Sequence, residues 1–259
     1  AIAFCLLPVA CGFLIPAGLL TTWAWQVANT RIDAAFLGLM GHSLGLAATA
    51  ALLALVLALI LGYGRRLHPT RGVTAAVRIA GMGYAVPGTV IAVGVIIPFA
   101  WLDNSLDAWM RATFGLSTGL LLSGTLAALL FAYLVRFLAV ALQTVESGLG
   151  KIRPAMDESA RSLGLRPGGV LRRVHLPMLR GSLLTALLLV FVDVLKELPA
   201  TLILRPFNFN TLAVRVYELA ADERLADAAP AALAIVLTGL LPVILLSRSI
   251  TQSRHAQTT

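Results

Sequence analysis

Long apolar runs alternate with short polar stretches along the chain, and six of the runs are about twenty residues long. They are roughly Ala1–Leu20, Ser43–Gly62, Ile79–Trp101, Gly119–Ala141, Ser182–Leu204 and Ala228–Leu246. A helix rises about 1.5 Å per residue, so about 20 residues cross a hydrocarbon layer ~30 Å thick. Lipid offers no partner to a free N–H or C=O, so each run is predicted to be a transmembrane helix. Pro87 and Pro98 predict a kink or broken ends in the third run, where Gly81, Gly83, Gly88 and Gly94 permit close helix approach. The expected fold class is an all-α membrane protein, a single six-span transmembrane domain over residues 1–259.

Composition agrees with that pattern. The chain is 59% hydrophobic and 12% charged, about half the charge of a soluble domain. The net charge of +8 would suit a nucleic-acid partner if it formed a patch. It does not: the basic residues lie between the apolar runs, so no nucleic acid is expected and the bilayer is the partner. Loops after runs two and four and the tail after run six, with Arg136 near the end of run four, hold fourteen Lys and Arg. The opposite loops hold five. By the positive-inside bias the first group is cytoplasmic and both termini are inside.

Cys5 and Cys11, six apart in one run, make neither an ordinary disulfide nor a metal framework. The opening Ala1-Ile2-Ala3-Phe4 has no initiator Met and no basic leader, as expected of a processed chain or a piece of a longer one.

The longest polar segment, about Gln143–Arg180, falls on the cytoplasmic side. It reads as two short helices with a sharp turn. Pro154 suits a helix start, with Asp157 and Glu158 near its positive end. Gly164 stands where a left-handed cap stops the helix, Pro167 follows, and Pro177 marks a second boundary. Physics alone leaves this an amphipathic connector on the membrane surface.

Motif spacing adds more. Glu158-Ser159-Ala160, then Gly164, then Val174-His175-Leu176-Pro177 resembles the EAA loop of bacterial ABC importer permeases. That pattern is Glu-Ala-Ala, three residues, Gly, nine residues, Ile, any residue, Leu-Pro. Ser159 and Val174 replace an Ala and an Ile. The resemblance implies the type I ABC importer permease fold, with a coupling helix that docks into a groove on an ATP-binding subunit. Asp157, Glu158, Ser159, Ala160 and Gly164 would then contact or shape the docking surface. Leu176 and Pro177 would fix the return into span five.

Run five carries Asp193, Lys196 and Glu197, followed by Pro199. Ionisable groups inside a span cost several kcal/mol unless paired or wet. Their spacing puts all three on one helical face, where Lys196 can pair with Asp193 and leave Glu197 for another helix or the pathway. They either fix helix packing or line a translocation path. The stretch Asp193–Phe209 and its continuation Thr211–Tyr217, together with Tyr84-Ala85-Val86-Pro87-Gly88, resemble ferric-iron importer permeases. Many of those are twelve-span chains of two six-span halves, so the chain is expected to be a C-terminal half or a separate six-span subunit.

That resemblance implies an inner-membrane permease subunit for ferric iron. It would work with ATP-binding cassette ATPase subunits, a second permease half and a periplasmic substrate-binding protein. No Gly-x-x-x-x-Gly-Lys-Ser/Thr loop occurs in the sequence, so no cofactor is expected on this chain and ATP belongs to the partner. No His, Cys or carboxylate spacing suggests a metal site, and Tyr84 and Tyr217 fit interfacial anchors. The cargo alternatives are an oxyanion, thiamine or a polyamine. An ion-coupled secondary transporter with Asp193, Lys196 and Glu197 as relay is a further alternative.

Overall fold

In the computed structural model, which describes residues 2–255, the apolar start of the chain is one helical rod. Helix α1 (Ile2–Val9) passes through a π turn (Ala10–Leu14) into α2 (Ile15–Arg31). Asp33 then ends one helix phase and starts the next, its carboxylate accepting the Phe36 N–H at 2.8 Å. Behind that cap α3 (Ala34–Leu67) runs for 34 residues, about 51 Å at the usual rise, and carries Arg65 and Arg66 clear of its apolar part. Thr70 caps α4 (Arg71–Ala80) in the same way.

The third predicted run is not one helix. After α4 the chain makes a short 3-10 turn (Gly83–Ala85), and α5 (Gly88–Phe114) starts only behind Pro87. Glycine makes that interruption fit: a Cβ at Gly83 would stand 1.7 Å from the Val135 carbonyl oxygen. The fourth run also starts later than expected. Asp103 accepts backbone N–H bonds from Leu121, Leu122 and Ser123, and Asp107 accepts those of Thr118 and Gly119. This holds residues 117–123 in a loop, so α6 (Leu126–Gly150) begins behind it.

Short α7 (Pro154–Ser162) and α8 (Pro167–Val170) follow. A π turn (Leu171–His175) joins α8 directly to α9 (Leu176–Leu195). Pro177 lies in the first turn of α9, just past the junction with the π turn. The fifth run breaks at Lys196–Leu198, and α10 (Pro199–Leu204), α11 (Leu212–Ala221) and α12 (Leu225–His255) complete the chain.

Among the described residues, five helical stretches are long and apolar enough to cross a membrane: Leu6–Arg31, Ala34–Leu67, Gly88–Phe114, Leu126–Gly150 and Pro167–Leu195. The sixth predicted run, Ala228–Leu246, lies within α12. Helices α3, α6 and α9 pack around one another as the centre of the bundle. Ala47, Ala50, Ala51, Ala54 and Ala58 give α3 a buried small-residue stripe, which lets helix backbones approach where hydrophobicity alone supplies no drive. Gly148 serves α6 likewise, since a Cβ there would come within 2.7 Å of Ser182 Oγ on α9. Helix α12 lies along α2 and α11, and α10 seats against α5.

Candidate functional site

Two constellations of polar side chains lie off the apolar core: one around α7 and one at the break between α9 and α10.

Helix α7 ends in a Schellman turn. Gly164 takes φ +84, its N–H bonds the Arg161 carbonyl at 2.9 Å and the Leu165 N–H bonds the Ala160 carbonyl at 3.1 Å. Side chains then divide between two faces. Glu158, Ser159, Ser162 and Leu163 point outward, and Leu163 at the tip is 84% exposed. Ala160 is buried, and Asp157 turns toward the bundle. Its Oδ2 accepts from Arg66 Nε at 2.8 Å and its Oδ1 lies 2.6 Å from His175 Nε2. Burial pushes the Asp157 carboxyl up, but hydrogen bonds from Arg66 and His175 outweigh that and hold it below the usual carboxylate range. An ionised carboxylate only accepts, so His175 Nε2 is the donor. Arg66 also donates to the carbonyls of Leu149 and Ile152 at 2.6 and 2.9 Å. Of the residues expected to contact or shape a docking surface, Glu158, Ser159 and Gly164 are exposed, while Asp157 and Ala160 face inward. Leu176 is partly buried and Pro177 exposed at the start of α9.

At the second site Lys196 Nζ pairs with Asp193 Oδ1 at 2.9 Å, and the Lys196 side chain is 62% exposed. Glu197 turns the other way. Its side chain is 2% exposed and its Oε1 accepts from Arg136 Nη1 on α6 at 3.1 Å and from the Ala200 N–H at 3.1 Å. The Ala200 bond satisfies an N–H freed where Pro199 starts α10. Thr201 donates to the Glu197 carbonyl at 2.8 Å and shares a hydrogen bond with Tyr133. Gly88 leaves room for the pair: a Cβ there would lie 2.0 Å from Arg136 Nη1. The two broken spans thus meet α6 at one largely buried ion pair, and Arg136 Nε and Glu197 Oε2 have no hydrogen-bond partner among the described residues.

Sequence reasoning missed several of these residues. It counted Arg136 among the cytoplasmic basic residues, yet Arg136 lies near the middle of α6. The signal was present, because apolar residues flank it on both sides from Phe131 to Ala141. For Arg66, Tyr133 and Thr201 no local signal existed. At the bundle end opposite α7, Arg31 chelates Asp227 at 2.7 and 2.9 Å beside a cleft of about 520 Å³ that His42, Asn208, Asn210 and Arg215 help to line.

Comparison with known proteins gives a family. The family described as "Binding-protein-dependent transport system inner membrane component" matches residues 54–254. The Fe(3+)-transport system permease protein FbpB 2 of Haemophilus influenzae is 28% identical over 229 residues, covering 86% of this chain and 42% of that protein. The putative 2-aminoethylphosphonate transport system permease protein PhnV of Salmonella typhimurium is 29% identical over 164 residues, covering 63% of this chain and 56% of that one. The chain thus spans about half the length of the curated relatives it matches. Among solved structures, a bacterial ABC transporter that imports the acidic polysaccharide alginate superposes with a TM-score of 0.73 at 15% identity, covering 98% of this chain and 95% of that one. The MetNI methionine ABC transporter does so with a TM-score of 0.59 at 17% identity, covering 85% and 99%. The fold is that of the type I ABC importer permeases.

Proposed function

This chain belongs to the family of binding-protein-dependent transport system inner membrane components, and on that premise we propose that it is one permease half of an ATP-driven importer for ferric iron. The carrying observation is the divided surface of α7. A short helix at the basic end of the bundle exposes Glu158, Ser159 and Leu163 and buries the residues that fasten it. That is what a knob seated in another protein's groove requires, and an ATP-binding cassette subunit is the occupant this family uses. Hydrolysis belongs to that subunit. The ends carrying Arg65, Arg66 and the α7 loop are cytoplasmic, as are both termini, and the cleft beside Arg31 and Arg215 faces a docked binding protein.

Cargo passes between two permease halves, along the side where Asp193, Lys196 and the break before Pro199 are found. A polar, broken stretch of backbone is tolerated at membrane depth where it lines protein or water. Iron is favoured because the residues around that break resemble ferric-iron permeases and the iron relative aligns with most of the chain. A phosphonate is the second reading, favoured by the PhnV relatives.

Uptake of radiolabelled ferric iron and of 2-aminoethylphosphonate, in cells with and without the chain, tests this. Iron uptake that needs the chain and stops on ATP depletion is expected. Phosphonate uptake alone overturns the cargo. Uptake that survives ATP depletion and stops with an uncoupler overturns the importer and favours an ion-coupled transporter.

A further inference from the structure

We propose that Asp157 is a positioning residue whose carboxylate fastens the coupling helix to α3 and α9 together, so that displacement of α7 reaches both spans at once. The inference rests on the importer reading above and adds how its stroke is carried.

Chain connectivity alone transmits such a stroke poorly. Lys151–Arg153 separates α7 from α6, and Leu163–Arg166, with the left-handed Gly164, separates it from α8. A push on α7 would be absorbed by rotation at those two joints. The side chains close them. One Asp157 oxygen holds Arg66 of α3 at 2.8 Å, and the other meets His175, the last residue before α9, at 2.6 Å. Arg66 reaches past the carboxylate to the carbonyls of Leu149, at the end of α6, and Ile152, in the joint behind it. Tyr63, one turn before Arg66, donates to the Pro167 carbonyl at 2.7 Å and sets its ring edge-on to His175.

Arg66 and Asp157 are each about one-sixth exposed and His175 is fully enclosed, so these bonds are charge-assisted and poorly screened. The π turn at Leu171–His175 is the local distortion that rotates His175 inward, and such turns recur at functional sites. Asp157 therefore does a different job from Glu158 beside it: Glu158 faces out and Asp157 faces α3 and the start of α9.

The test uses the assembled transporter in proteoliposomes, with ATP hydrolysis and cargo uptake measured on the same sample. Asp157→Asn is expected to retain the ATPase and its hydrolysis while cargo moved per ATP falls about fivefold or more, the low end of ordinary coupling between sites. Arg66→Lys, which keeps the charge but loses the guanidinium fork, is expected to show the same split. The Arg66→Lys/Asp157→Asn double variant should lose less than the sum of the two singles, because they share one contact.

Two outcomes overturn the clamp: an unchanged ratio of cargo to ATP, whether or not both rates fall together, or loss of the ATPase from Asp157→Asn. Leu163→Asp, on the outer face, is the contrasting control and should shed the ATPase. If the unaltered chain carries no ATPase, the importer reading itself falls, and the clamp with it.

Discussion

Arg136 and Glu197 are 61 residues apart and meet at 3.1 Å, inside a span that hydropathy reads as apolar. An arginine at the centre of a membrane helix costs ~2.5–3.5 kcal/mol on insertion scales, so its partner decides whether the fold tolerates it. Glu197→Ala strands Arg136 and is expected to cost ~3–5 kcal/mol, the usual penalty for breaking a buried pair. Glu197→Ala with Arg136→Met removes both charges and should recover most of that loss. The midpoint of thermal unfolding in detergent, with membrane abundance alongside, checks the ordering. Lys196 is the contrast: its 62% exposed side chain makes the Asp193 pair worth only ~0–1 kcal/mol. Spacing of three residues made that second pair legible in the sequence. The other pair was not legible, because no local rule connects a residue in run four to one in run five, and charge counting placed Arg136 near the cytoplasmic end of run four.

Element boundaries divide along the same line. Proline and glycine signals were readable: Pro154 does start α7 and Gly164 does take the left-handed cap. The sequence pattern failed where distant backbone groups decide. Asp103 and Asp107 hold apolar residues Leu120–Leu122 out of the helix, and a π turn at Leu171–His175 leads directly into α9. Gly164 also shows which force acts there. A Cβ at that position meets nothing within 4 Å, so no clash inside the chain forbids a side chain. The left-handed conformation does, at roughly 1–2 kcal/mol. Gly164→Ala is therefore expected to loosen the end of α7 and lower ATP-driven uptake in part. Gly164→Asp adds a charge beside the outer face and should abolish uptake while the protein stays in the membrane. Uptake and membrane abundance in the same cells separate the two, and normal uptake by Gly164→Asp would remove α7 from the coupling route.

At the scale of the whole molecule, polar contacts gather at the two ends of the bundle. Arg65 with Glu146 and Arg66 with Asp157 tie the α7 end together. Arg31 with Asp227 and Arg205 with Glu218 tie the other. Between them α3, α6 and α9 form a small-residue core, while the broken spans bring Gly88, Arg136 and Glu197 to one point. That arrangement suits a subunit driven from one end and opened near its middle.

If α7 docks an ATP-binding subunit, purification of the tagged chain from its native membranes brings that subunit with it. An ATPase is expected to copurify with the unaltered chain and to be lost from Leu163→Asp, whose side chain changes only the outer face. An ATPase absent from the unaltered chain, or equally present with Leu163→Asp, would contradict that docking.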